Sequence, residues 1–124
     1  MADREIVKEI IEKYKNAWEN QDPEAALEIF TKDATYQERI LEKPFIGHPE
    51  IKRFWIEKAV KEQKDIHFKP ISLFIDGNVA ISEWEADFFD KKDRCKKYMR
   101  GIMILEIKNK KIASLREYWK AKQI

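Results

Sequence analysis

The dominant hydrophobic period of this chain changes near Lys64, and that change restricts the folds open to it. Before it, apolar residues recur at steps of three and four. Ile6, Val7, Ile10, Ile11, Tyr14, Ala17 and Trp18 form one stripe, which predicts a helix over about 3–20. Asn20-Gln21 ends it, and Asp22-Pro23 reads as an N-cap followed by a first-turn proline. A second helix is expected to run to about Phe30, burying Ala26, Leu27 and Phe30. The alternating stretch Ala34–Leu41 reads as a short strand. Lys43-Pro44 and Gly47 make a loop. Pro49 then starts a third helix with Ile51, Phe54, Trp55 and Ala59 inward.

After Lys64 the period is two. Ile66, Phe68, Ile71, Leu73 and Ile75 lead to Asp76-Gly77, a hairpin signal. Val79–Phe89 returns, and a charged tip at Asp90–Arg94 reverses the chain. Tyr98–Ile107 follows, then a tight turn at Asn109-Lys110, then Ile112–Trp119. Three consecutive hairpins imply a four-strand antiparallel meander. Helices first and strands after is the α+β pattern. The expected architecture is a cone-shaped α+β roll, three N-terminal helices packed on a strongly curved antiparallel sheet. Residues 1–124 are read as a single domain. Such a sheet leaves a gap at its open end, where a small apolar molecule can sit.

Composition narrows the function classes. The 25 basic and 23 acidic residues nearly cancel and are interspersed, so no nucleic-acid partner is expected. The run Lys91, Lys92, Arg94, Lys96 and Lys97 is interrupted by Asp93 and reads as a solvated hairpin tip. No run reaches the roughly 18 apolar residues of a membrane helix. Asp3, Arg4 and Glu5 precede any apolar run, so no signal peptide is read and a cytoplasmic location is expected. Cys95 stands alone, so no disulfide forms within the chain. His48 and His67 have no metal-ligand spacing, and no Gly-rich phosphate loop occurs. No cofactor and no metal are expected.

Several stretches carry a family resemblance. They are Tyr14, Trp18 and Asp22; Phe30-Thr31-Lys32-Asp33-Ala34-Thr35-Tyr36; Gly47 ahead of Ile51 and Phe54-Trp55; and Arg100-Gly101-Ile102 through Lys111-Ile112 to Arg116-Glu117-Tyr118-Trp119. Together they resemble the SnoaL-like branch of the nuclear transport factor 2-like superfamily, over nearly the whole chain. The resemblance implies the cone-shaped roll, commonly dimerised through its outer sheet face. The superfamily includes isomerases, cyclases, hydrolases and non-catalytic binding proteins.

Tyr36 and Glu38 stand two apart on the expected strand and so share a face. If that face lines the pocket, a phenol and a carboxylate converge there. A carboxylate in an apolar pocket has a raised pKa and suits acid–base chemistry near neutrality. By resemblance, Glu38 falls where ketosteroid isomerase places its aspartate base, and Tyr14 where it places an oxyanion-stabilising tyrosine. Tyr36 and Glu38 also fall where limonene epoxide hydrolase holds its attacking water. Glu117 matches that enzyme's acid–base aspartate. Two departures matter. Met103 stands where the isomerase holds a second acid, and Glu83 and Glu85 occupy the hydrolase's Arg-x-Asp positions, so the arginine is missing. The alternative for Tyr14 is the core. For Glu38 it is solvent. For Glu117 it is a rim salt bridge to Arg100 or Arg116.

The strand around Trp84 leaves a register question. Either Ala80, Ser82, Trp84, Ala86 and Phe88 face in, or a one-residue slip turns Glu83, Glu85 and Asp87 inward. The first is preferred, since burying three unpaired carboxylates costs several kcal/mol. It pairs Glu85 with Arg100 and sets Trp84 over Gly101. The expected ligand-binding residues are Trp18, Phe30, Phe54, Trp55, Trp84, Met99, Met103 and Trp119. Ile102 and Ile104 alternate with Met103 and Leu105, so that strand is apolar on both sides, and a homodimer through the outer face is expected. Three functions stay open: an enzyme using Glu38, Tyr36, Tyr14 and Glu117, a binder of a hydrophobic ligand, and a dimeric interaction module.

Overall fold

The computed structural model describes residues 2–124. Helix α1, Arg4–Glu19, opens on Asp3, whose carboxylate accepts from the backbone N–H groups of Glu5 and Ile6. Its buried face is the stripe legible in the sequence: Val7, Ile10, Ile11, Tyr14, Ala17 and Trp18. Helix α2, Pro23–Glu28, is capped by Asp22, which accepts from the N–H of Ala25.

Here the boundaries differ from expectation. Strand β1, Phe30–Gln37, starts at the residue expected to end the second helix and stops short of Leu41. A distant partner sets the start. Phe30 pairs with Ile112, and the Ile29 carbonyl accepts the Ile112 N–H at 2.8 Å. The segment expected as loop holds a two-residue strand, β2, Phe45–Ile46, paired to β1. Helix α3, Gly47–Trp55, begins two residues ahead of Pro49 and continues as a π-helical turn, Ile56–Val60.

The remaining strands are β3, Gln63–Pro70; β4, Phe74–Asp76; β5, Val79–Asp90; β6, Cys95–Lys108; and β7, Lys111–Gln123. The run from Ile66 to Ile75 is thus broken. The three-residue step from Phe68 to Ile71 interrupts the alternation, and the N–H groups of Ile71 and Ser72 both turn to the Glu83 carbonyl. Spatial order in the sheet is β2-β1-β7-β6-β5-β3, with β4 also on β5. The meander from β3 to β7 is antiparallel, and β1 runs parallel to β7. Asn109 and Lys110 both take positive φ in the last turn, as a tight two-residue hairpin requires.

The register of β5 follows the preferred reading. Trp84 pairs with Gly101 and Glu85 with Arg100. Ala80, Ser82, Trp84, Ala86 and Phe88 are buried. A Cβ at Gly101 would lie 3.0 Å from Trp84 Cζ2, so the indole fills space only glycine leaves. The result is an α+β cone of three helices and a curved, mostly antiparallel sheet. Val7 and Ile10 of α1 and Ala80, Leu105, Ile112 and Leu115 of the sheet belong to the buried core, away from the open end of the cone.

Candidate functional site

The open end of the cone holds a cavity of about 150 Å³. Each contributing element turns one face inward. From α1 come Tyr14 and Trp18, and from β1 Tyr36. Phe54 and Trp55 of α3 are followed on the π-helical turn by Lys58 and Ala59. The sheet adds Trp84, Phe88, Met99, Glu117 and Trp119.

Three of the candidate residues meet in one cluster. Glu117 is 5% exposed, and its Oε1 accepts from Tyr14 and from Tyr36, each at 2.7 Å. The two phenol oxygens lie 3.1 Å apart. Each phenol has one proton, and both go to the shared Oε1, so the short contact between them follows from the common acceptor. Oε2 has no partner among the described residues, and Glu117 lines the cavity. The expected alternative for Glu117, a salt bridge to Arg100 or Arg116, is not formed. Arg100 pairs with Glu83 at 3.2 Å and Arg116 with Glu106 at 3.4 Å, both on the opposite face of the sheet. The alternation of β7 causes this, since Leu115 and Glu117 point in while Arg116 and Tyr118 point out.

Burial pushes the Glu117 carboxyl up to about 7. The two phenol donors oppose that rise, and the charge of Glu38 adds to it. Burial, reinforced by the charge of Glu117, holds both phenols well above their ordinary range, so they stay protonated donors at neutral pH.

Glu38 is placed differently. It lies one residue past the end of β1, at the cavity mouth, half-buried, with Arg39 Nε 3.3 Å from its Oε1. Burial raises its pKa, while Arg39 and Lys58 pull it down. Its carbonyl accepts the Trp119 indole N–H at 2.8 Å, and Arg39 lies over the Trp119 ring.

Of the expected ligand-binding residues, Trp18, Phe54, Trp55, Trp84, Met99 and Trp119 line the cavity. Phe30 and Met103 do not. Phe30 is fully buried behind Tyr36, ring centroids 5.8 Å apart. Met103 is buried at the level of Ser82 and Glu117, deeper along β6 than Met99. The sequence reading also missed parts of the rim: Lys58 and Glu62, 3.5 Å apart, and Lys97, bonded to Asp90 at 2.8 Å. Burial opposes ionisation of Asp90, but Lys97 and the N–H groups of Asp93 and Lys92 outweigh it and lower its pKa. The charged tip at Asp90–Arg94 was the available signal for this part of the rim, since the return it forces sets Lys97 opposite Phe88 on the neighbouring strand. His48 meets the Phe30 carbonyl at 3.0 Å.

The fold and site define a class: a small α+β cone whose aromatic cavity, charged at its rim, holds the buried Glu117 carboxyl group. Residues 11–115 match the SnoaL-like domain family, and the chain belongs to it. No curated protein matches the sequence. Among solved structures, the chain is similar to SalBIII, an epoxide hydrolase/cyclase-like enzyme of pyran ring formation in the polyether salinomycin. Identity is 19%, coverage 100% of both chains, and TM-score 0.85. A protein with a ketosteroid isomerase-like fold from Catenulispora acidiphila, in complex with trimethylamine, shares 18% identity over 89% of this chain and 84% of that one, at TM-score 0.79. An NTF2-like protein from Burkholderia pseudomallei shares 10% over 97% and 92%, at 0.78. At these identities the likeness is one of fold.

Proposed function

We propose that this protein catalyses proton transfer on a small, largely apolar molecule, in an isomerisation or ring-closing reaction. Glu117 takes the proton from a C–H or O–H group of the substrate through Oε2 and returns it to a second atom. Tyr14 and Tyr36 hold Oε1, fix the carboxyl plane and stay protonated throughout. Glu38 acts at the mouth, where it orients the entering molecule with Arg39. The observation that carries this reading is the buried Glu117 carboxyl, bonded by two phenols through one oxygen while the other meets an apolar cavity. An acid–base group is most useful with a pKa near working pH, and Glu117 has one of about 7. The cavity volume equals that of an engineered cavity known to take benzene, so the enclosed part of the substrate is about one ring. Ring closure belongs in the test because SalBIII, a cyclase-like enzyme, has this fold.

The test starts with thermal-shift screening against single-ring ketones, epoxides and lactones. Hits are then incubated in D2O, and exchange or rearrangement is followed by mass spectrometry. Glu117→Gln should lose about 10²- to 10⁴-fold in rate. Equal rates in the two proteins would remove Glu117 as the acid–base group. The second reading is a binder without turnover, favoured by the aromatic lining. It is the outcome if hits stabilise the protein and none is transformed. We also propose that two copies pair through the outer sheet face, where Ile81, Ile102 and Tyr118 are exposed.

A further inference from the structure

The polar inventory of the cavity's buried lining is one-sided. Four tryptophans line the cavity, and none offers it an indole N–H. Trp18 gives its N–H to the Gln63 side chain and Trp119 to the Glu38 carbonyl, both at 2.8 Å. The Nε1 atoms of Trp55 and Trp84 are sealed from any surface, the cavity's included. Both phenol protons go to Glu117. With Glu117 ionised, the buried lining therefore holds acceptors: Oε2 of Glu117 and the remaining lone pairs of the two phenols. The wall around them is aromatic carbon from Trp18, Trp55, Trp84, Phe88, Tyr14 and Tyr36. Among the described residues, no cation pairs with Glu117. The rim cations Arg39, Lys58 and Lys97 each sit against an acid of the rim, Glu38, Glu62 and Asp90.

A neutral molecule rich in acceptor atoms finds the Gln63 amide, whose Oε1 is taken by Trp18, but no donor at Oε2 of Glu117 once that group is ionised. A small cation with one N–H finds everything it needs. The carboxylate supplies a charge-assisted acceptor, and the ring faces attract the alkylated charge. We infer that the cavity binds small protonated amines, the N–H⁺ donating to Glu117 Oε2 and the alkyl groups lying against the aromatic wall. This rests on the same open oxygen as the acid–base reading but names a ligand class that reading does not.

Binding depends on pH through Glu117. The titratable groups facing it are Tyr14 from α1 and Tyr36 from β1, with Glu38 acting from the mouth through its charge. Below about 7 the carboxyl is protonated and the amine must displace that proton. Affinity should therefore fall by up to about tenfold for each pH unit below 7.

The experiment is calorimetric titration of the intact protein at pH 8 with trimethylammonium chloride, tetramethylammonium chloride and tert-butanol. These probes differ little in shape and differ in charge or N–H. Trimethylammonium should bind at least about tenfold tighter than either other probe. Glu117→Gln should remove that advantage. Equal affinity for trimethylammonium and tert-butanol, or binding of trimethylammonium unaffected by Glu117→Gln, would overturn the inference. So would equal binding of tetramethylammonium, which has no N–H to donate. A companion measurement, carboxyl ¹³C NMR of Glu117, separates the two readings. Titration near neutrality without amine preference removes this inference and leaves the acid–base reading. Titration in the ordinary carboxylate range with the amine preference kept removes the acid–base reading and leaves this inference.

Discussion

A carboxyl group enclosed with two phenols makes the folded chain hold a proton that the unfolded chain releases. Glu117 ionises near 4.5 when unfolded and near 7 when folded. Below pH 4.5 both states carry the proton and the group contributes nothing to stability. As pH rises from 4.5 to 7, only the unfolded state loses it, so stability falls, and above 7 the loss is complete. That interval corresponds to about 3 kcal/mol. Glu117→Gln lacks this titration. Urea unfolding of the two proteins at pH 4 and pH 8 should show the variant gaining on the native protein by about that amount at the higher pH. A gap independent of pH would mean that Glu117 is not buried as a carboxyl. The phenols work the other way. Each donates to Oε1 and lowers the Glu117 pKa, so Tyr36→Phe should move the Glu117 titration upward from about 7. Carboxyl ¹³C NMR reads this directly, and a downward move would reverse the role given to Tyr36. The sequence placed Tyr14, Tyr36 and Glu117 among the candidates but could not join them. Alternation says which residues of a strand share a face, not which face is inside. The three residues come from α1, β1 and β7, 22 to 103 positions apart, and only the closed fold brings them together.

At the level of elements, the hairpins were legible because each strand folds back on its neighbour. Asp76-Gly77 and Asn109-Lys110 carry their own turn chemistry, and the charged tip after Asp90 sets the register of β5 on β6. The parallel pairing of β1 with β7 was not legible, because its partners lie some 80 residues apart and no local turn announces them. The π-helical turn was missed for a related reason. Ile56–Val60 continues the helical pattern of α3, and the wider turn leaves no mark in a period of three and four. The Trp84–Gly101 pair makes the register testable. A Cβ at position 101 would stand 2.7 Å from the Tyr118 carbonyl oxygen and 2.8 Å from Trp119 Cβ, besides Trp84. Two of these belong to a paired strand and yield little. Gly101→Ala should cost about 1–3 kcal/mol in urea unfolding. It should also perturb the fluorescence of the cavity tryptophans, since Trp84 and Trp119 both line it. A neutral substitution would mean that β6 and β7 are further apart than this register places them.

For the whole molecule, the decisive contrast is between the two faces of the sheet. The inner face is consumed by the helices and the cavity. The outer face is neither wholly polar nor covered. Ile81 pairs with Ile104 and Ile102 with Tyr118, so apolar residues stand side by side across β5, β6 and β7, with Phe74 continuing the row on β4. Ion pairs flank them, Glu83 with Arg100 and Glu106 with Arg116. An apolar strip between charged pairs has the anatomy of an interface, a dry centre with a polar rim. Because the strip lies on the convex side, pairing there leaves the cavity mouth free, and oligomeric state and ligand binding should vary independently. Light scattering at micromolar concentration should give twice the 14.9 kDa of one chain. Ile102→Lys, at a site 42% exposed in the single chain, should give the single mass with the fold intact by circular dichroism. It should also keep the amine affinity of the native protein. A native protein that runs at 14.9 kDa under these conditions would remove the dimer and leave the site unaffected.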